Sequence, residues 1–85
     1  MKMIMDGHEY SYNDTTMELK NNYGEVVAEI FDDDASDEYY YPEILELDID
    51  DTRIDQPAPI HKNVIQDNAE ARGMWILQTY VASTS

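Results

Sequence analysis

The negative charge of this chain is not spread along it. The stretch Glu25–Asp55 (EVVAEIFDDDASDEYYYPEILELDIDDTRID) carries thirteen acids and one base, Arg53, so it holds −12 of a total of −14. Those acids repel one another, and burying unpaired carboxylates is costly. Any fold must therefore keep one side of this stretch in water or against a cationic partner. A chain so charged is repelled by nucleic acid and by anionic membrane surfaces. It is drawn to basic surfaces, quickly and in a salt-dependent way.

Eighty-five residues make one small domain, residues 1–85. A chain this short buries only about 60% of its unfolded surface, so its stability is marginal. There is no cysteine to form a disulfide or a structural zinc site. The hydrophobic content of 42% and nine aromatics nonetheless suit a packed core. The apolar run at Met1–Met5 is far too short for a signal peptide. No segment reaches the roughly 18 apolar residues of a membrane span. With no cysteine, the chain reads as cytoplasmic.

Along the chain, Asp6-Gly7 between Met3–Met5 and His8–Tyr12 is a hairpin signal. Asn13-Asp14 marks a second turn. Thr16–Lys20 alternates, Asn21–Gly24 is turn chemistry, and Glu25–Phe31 returns with Val26, Ala28 and Ile30 on one face. Thr16–Phe31 is thus expected to be a β-hairpin. Asp32–Glu38 reads as a solvated loop or a short helical turn. Glu43–Asp50 alternates cleanly, with Leu45, Leu47 and Ile49 inward and Glu46, Asp48 and Asp50 outward. Asp51–Pro59 is a proline loop. Ile60–Arg72 is expected to be a helix ended by Gly73, and Met74–Ala82 a buried strand with Trp75, Met74, Ile76 and Leu77 in the core. The alternative is a longer helix running through Gly73, against which a mid-helix glycine counts about 1 kcal/mol. The expected architecture is α+β: a small antiparallel sheet of about five strands with one short helix near the C-terminal end. The small core and apolar final segment leave room for a homodimer.

The acids offer the main chemistry. Glu46, Asp48 and Asp50 on one strand face would be spaced roughly 6.6 Å apart. Duplex DNA carries one charge per roughly 1.7 Å of axis, so one row is too sparse to imitate it. Adding the loop acids Asp32, Asp33, Asp34, Asp37 and Glu38, together with Glu25 and Glu29, would give two or three rows; Glu43 and Asp51 complete the candidate partner-binding acids. A bland reading, a solvated face that keeps the protein soluble, stands beside it. Tyr39, Tyr40 and Tyr41 cannot all enter one core, so at least one ring is a candidate interface anchor. The bland alternative buries Tyr39 and Tyr41 and leaves Tyr40 over the sheet edge.

Other chemistries are poorly supported. Asp32, Asp34, Ser36, Glu38 and Glu43 fall on calcium-loop positions, but Asp37 stands where that loop needs glycine. His8 and His61 lie in no catalytic motif, and there is no phosphate-binding loop or nucleophile elbow. No enzyme activity, cofactor or metal is expected, and five bases against nineteen acids cannot supply a footprint for direct nucleic-acid binding.

In size, charge and lack of cysteine, the chain resembles the small acidic inhibitor proteins that bacteriophages direct against DNA-acting host defences. Those include anti-CRISPR and anti-restriction proteins that imitate DNA. The resemblance implies a DNA mimic in the host-cell cytoplasm whose partner is a basic nucleic-acid-binding protein, such as a CRISPR effector or a restriction enzyme. It carries over no individual functional residue. The alternative is an immunity or antitoxin protein that blocks a basic toxin by direct contact.

Overall fold

The computed structural model describes residues 1–32, 38–45 and 57–84. The fold is α+β, a curled six-stranded antiparallel sheet followed by a C-terminal helix. The strands are β1 (Lys2–Met5), β2 (His8–Asn13), β3 (Glu18–Lys20), β4 (Val26–Asp32), β5 (Tyr39–Ile44) and β6 (Ile60–His61), and they lie side by side in chain order. Two helices follow, α1 (Lys62–Ile65) and α2 (Ala69–Thr84).

Local chemistry accounts for the first four strands. Asp6 and Gly7 both take positive φ, 54° and 79°, which is what a two-residue hairpin turn matched to strand twist requires. At the β3–β4 turn the Asn21 carboxamide oxygen accepts hydrogen bonds from the amides of Tyr23 (2.9 Å) and Glu25 (3.0 Å). Gly24 supplies the left-handed residue with φ of 83°. The expected hairpin over Thr16–Phe31 is present, with one alteration. Leu19 pairs with Ala28 but Lys20 pairs with Val26, so Val27 is the extra residue of a bulge. Val27 is buried, whereas Val26 is only half-buried.

The fifth strand begins four residues earlier than the Glu43 start read from the sequence. It covers Tyr39–Ile44, and Leu45 lies outside it. Pro42 sits within it without breaking the sheet. The Ile30 amide donates toward β3, to the Met17 carbonyl at 2.9 Å, so the Ile30–Pro42 pair exchanges no backbone hydrogen bonds. The missing N–H of Pro42 faces the side where β6, which pairs only with Tyr39 and Tyr40, has no residue. The remainder of the expected strand, with Glu46, Leu47, Asp48, Ile49 and Asp50, lies outside the described residues, as do 33–37 and 51–56.

The C-terminal third is corrected more deeply. Ile60–Arg72 is not one helix: Ile60–His61 pair with β5, and α1 is a single turn. Met74–Ala82 is not a strand but most of α2. The Asn68 side-chain oxygen accepts from the amides of Glu70 (2.9 Å) and Ala71 (3.4 Å), starting the helix, and Glu70 favours its positive end. The helix runs through Gly73. Gly73, Ile76, Leu77 and Tyr80 recur at helical spacing and are all buried against the sheet. A Cβ at Gly73 would stand 2.5 Å from the Met1 methyl and 2.8 Å from Cδ2 of Tyr12. Glycine there lets the helix backbone lie directly on the Tyr12 ring, and the resulting burial offsets its low helix propensity.

The core lies between α2 and one face of the sheet, where Tyr10, Tyr12, Leu19, Ala28, Ile30, Tyr40 and Ile44 meet Ile76, Leu77 and Tyr80. Tyr10 and Tyr80 pack edge to face at 5.7 Å. Of the four residues expected in the core, Ile76 and Leu77 are fully buried, Trp75 is half-buried and Met74 is exposed. The molecule is only 18 Å through its shortest axis. That is about the thickness of one helix laid on one sheet, so among the described residues the helix covers one face and leaves the other open.

Candidate docking surface

Register decides what the open face carries. Directly paired residues on neighbouring strands share a face, and alternate residues along a strand do too. Ala28 and Ile30 point to the helix, so Glu29 and Phe31 point away. Glu29 pairs with Glu18 on one side and Glu43 on the other, and Phe31 pairs with Tyr41. Tyr39, two residues from Tyr41, pairs with His61. The open face therefore holds a carboxylate row running across three strands, with an aromatic group beside it.

The row is electrostatically strained. Adjacent strands are about 4.8 Å apart, and like charges directly opposite destabilise a sheet. Partial burial of Glu29, its carboxyl–carboxyl contact with Glu43 and the charges of Glu43 and Glu18 push its pKa above the ordinary value of 4.5. Among the described residues, Lys62 forms an ion pair with Asp32 and Arg72 with Asp14, and neither pair joins this row.

The aromatic group is partly open to solvent. Phe31 is 52% exposed, which is unusual for phenylalanine and costs hydrophobic free energy unless something covers it. Tyr39 and Tyr41 are half-buried against each other, with ring centres 6.4 Å apart. His61 sits edge-on to Tyr39 at 5.2 Å.

The tyrosine run thus has the opposite parity to the bland expectation. Tyr40 is the buried ring, 6% exposed, with the Lys62 ammonium 5.4 Å from its centre. Asp32 pairs in register with Tyr40, on the helix side, and is bridged to Lys62. Glu38 is exposed, and its carbonyl accepts from the Lys62 amide at 2.8 Å. Glu43 is exposed on the open face. Asp33, Asp34, Asp37, Glu46, Asp48, Asp50 and Asp51 lie outside the described residues. Glu18, Phe31 and His61 join the candidate set only through the structure, and Glu29, expected as part of a further acid row, is given its neighbours by it. The strand alternation was visible in the sequence, but their juxtaposition depends on register.

A second polar cluster braces the fold. Arg72 of α2 forms two hydrogen bonds to the Asp14 carboxylate, both 2.8 Å, and donates to the carbonyls of Ile65 and Gln66. Tyr12 donates its hydroxyl to Asp14 at 2.9 Å. The Arg72 hydrogen bond holds the Asp14 carboxyl below the usual carboxylate range, while burial and then Asp14 push the Tyr12 hydroxyl up. The cluster ties the β2–β3 turn to the start of α2.

Among the described residues, no group of three His, Asp or Glu side chains is arranged to hold a metal ion. Two positions of the calcium-like count, Asp34 and Ser36, fall outside them. No helix among the described residues is long and apolar enough to cross a membrane. No protein-family model matches the chain, and neither a curated protein nor a solved structure matches it significantly.

Proposed function

We propose that this protein is an inhibitor that acts as a DNA mimic, its acidic surface occupying the basic nucleic-acid-binding groove of a host defence protein of the anti-CRISPR or anti-restriction target class. The observation that carries the reading is the concentration of −12 in Glu25–Asp55 together with the carboxylate row Glu18, Glu29 and Glu43, which no ion pair among the described residues bridges, on the sheet face opposite the helix. Spacing across strands is about 4.8 Å, tighter than the roughly 6.6 Å along one. That is nearer the 3.4 Å per charge along one DNA strand. A sheet holds such a pattern fixed, as a disordered acidic tail does not. The same counterion release and steering that draw a cationic groove to DNA draw it to this face.

The test is competition. Immobilised protein is loaded with host lysate at low salt, and bound proteins are displaced with duplex DNA. The expected result is a DNA-binding protein whose DNA complex dissociates when the free 85-residue chain is added, less effectively as salt rises. Retained partners that DNA cannot displace would sink the reading.

The partly exposed ring of Phe31 with Tyr39 and Tyr41 supports a second reading, an immunity or antitoxin protein that blocks a basic toxin by shape-specific contact. Charge reversal at Glu46 and Asp48 separates the two when set against Tyr41→Ala. Tyr40→Ala is unsuitable because Tyr40 is buried. Mimicry requires the charge reversals to dominate, whereas contact by shape requires Tyr41→Ala to dominate.

A further inference from the structure

We propose that the open face of β4 and β5 is the docking surface for arginine side chains of a basic protein partner, with Phe31, Tyr39 and Tyr41 receiving guanidinium planes and Glu29 and Glu43 pairing with their charge. This rests on the inhibitor reading and names the partner chemistry of that site.

Two features of the face are unfavourable in the free chain and are relieved by the same group, and a third suits that group. Phe31 exposes 52% of its surface to water. Glu29 faces Glu43 and Glu18 with no cation bridging the row among the described ion pairs. Tyr39 and Tyr41 present ring area next to them, because residues 39, 41 and 43 fall on one side of β5 and 29 and 31 on the same side of β4. Successive residues on that side are roughly 6.6 Å apart. A guanidinium lying over the Phe31–Tyr41 pair thus stands within reach of the Glu29–Glu43 pair. It is planar, weakly hydrated and forked, so it stacks on a ring and pairs with a carboxylate at once. A lysine ammonium is a compact, strongly hydrated charge that satisfies the carboxylates but gains less from the rings. Charge complementarity therefore selects a basic partner, and the rings select arginine within it.

The test uses blocked oligo-arginine and oligo-lysine peptides of equal length, titrated at low salt into the isotope-labelled chain with amide and aromatic NMR shifts as readout. The expected result is saturable binding of oligo-arginine, roughly two- to fivefold tighter than oligo-lysine, as one exposed ring contact supplies. The largest shifts are expected at Glu29, Phe31, Tyr39, Tyr41 and Glu43. Phe31→Ala and Tyr41→Ala should remove the arginine preference while leaving oligo-lysine binding nearly unchanged, and Glu43→Gln should weaken both. The wild-type shift map is independent of whether any variant folds. Equal affinity for both peptides, with shifts centred elsewhere, overturns the arginine face but leaves the acidic-inhibitor reading standing. Binding of neither peptide overturns both. Concentration-dependent shifts on this face without peptide, matched by a dimer in sedimentation, would assign it to a second copy and overturn the proposal.

Discussion

Replacing Glu29 with glutamine should make this protein more stable, and the structure sets how much. Directly opposed residues in an antiparallel pair have Cβ atoms about 4.5–5.5 Å apart. Glu29 has such a neighbour on each side, Glu18 and Glu43. Two unit charges at about 6 Å in a water-like dielectric repel by roughly 0.7 kcal/mol, because the energy falls as one over distance. Two neighbours give about 1.4 kcal/mol, which salt screening brings to about 1 kcal/mol. For a domain of this size that is about 4–8 °C in Tm. The sign with pH is fixed as well. The folded-state pKa of Glu29 lies above 4.5, so the folded protein holds this proton more tightly than the unfolded chain. The Glu29 penalty is therefore fully present at pH 7. It fades as pH falls through the raised folded value and is gone below the ordinary one. Urea unfolding of wild type and Glu29→Gln at neutral and acidic pH measures this. The expected gain of about 1 kcal/mol at pH 7 should shrink at acidic pH and in high salt. Glu9→Gln, whose cross-strand partner is Ile4, is the control and should gain little. No gain at pH 7, or a gain indifferent to pH and salt, would refute the carboxylate row.

Two further substitutions probe the brace and the helix seat. Arg72→Ala leaves the Asp14 carboxylate and the carbonyls of Ile65 and Gln66 without their charged donor, and should cost about 2 kcal/mol in urea unfolding. Because Asp14 has a lowered folded pKa, its contribution is present above the ordinary value of 3.8 and is lost as pH falls through the folded one. Arg72→Ala should flatten that acid limb. Gly73→Ala gains about 1 kcal/mol of helix propensity but forces a methyl against the Tyr12 ring, where overpacking costs about 1–3 kcal/mol. The expected net is a loss of about 1 kcal/mol, and a gain of that size would show that α2 does not press on Tyr12.

The N-terminal half of the fold was legible because its signals are local. Asp6-Gly7 and Asn21–Gly24 dictate their turns by backbone chemistry alone, and alternation between them marks the strands. The C-terminal third was not. Met74–Ala82 is rich in β-branched and aromatic residues, and Gly73 looked like a helix end. The helical spacing of Gly73, Ile76, Leu77 and Tyr80 was present in the same letters. It outweighs propensity because a single-layer sheet exposing Tyr12, Leu19 and Ile44 needs a cover, and a helix on that face buries them. The candidate site divides the same way. That charge gathers in one stretch was plain, but Glu18 belongs with it only through its pairing with Glu29 across the β3–β4 interface.

The amino-acid order by itself determined the net charge, the turns, the α+β class and the need for an acid-bearing face turned away from the core. Tertiary structure decided which face that is. The bulge at Val27, the early start of β5 and the side to which Tyr40 turns all depend on hydrogen bonds between distant strands. Since successive strand residues point oppositely, a one-residue change in any of these would exchange rings and carboxylates between interior and surface.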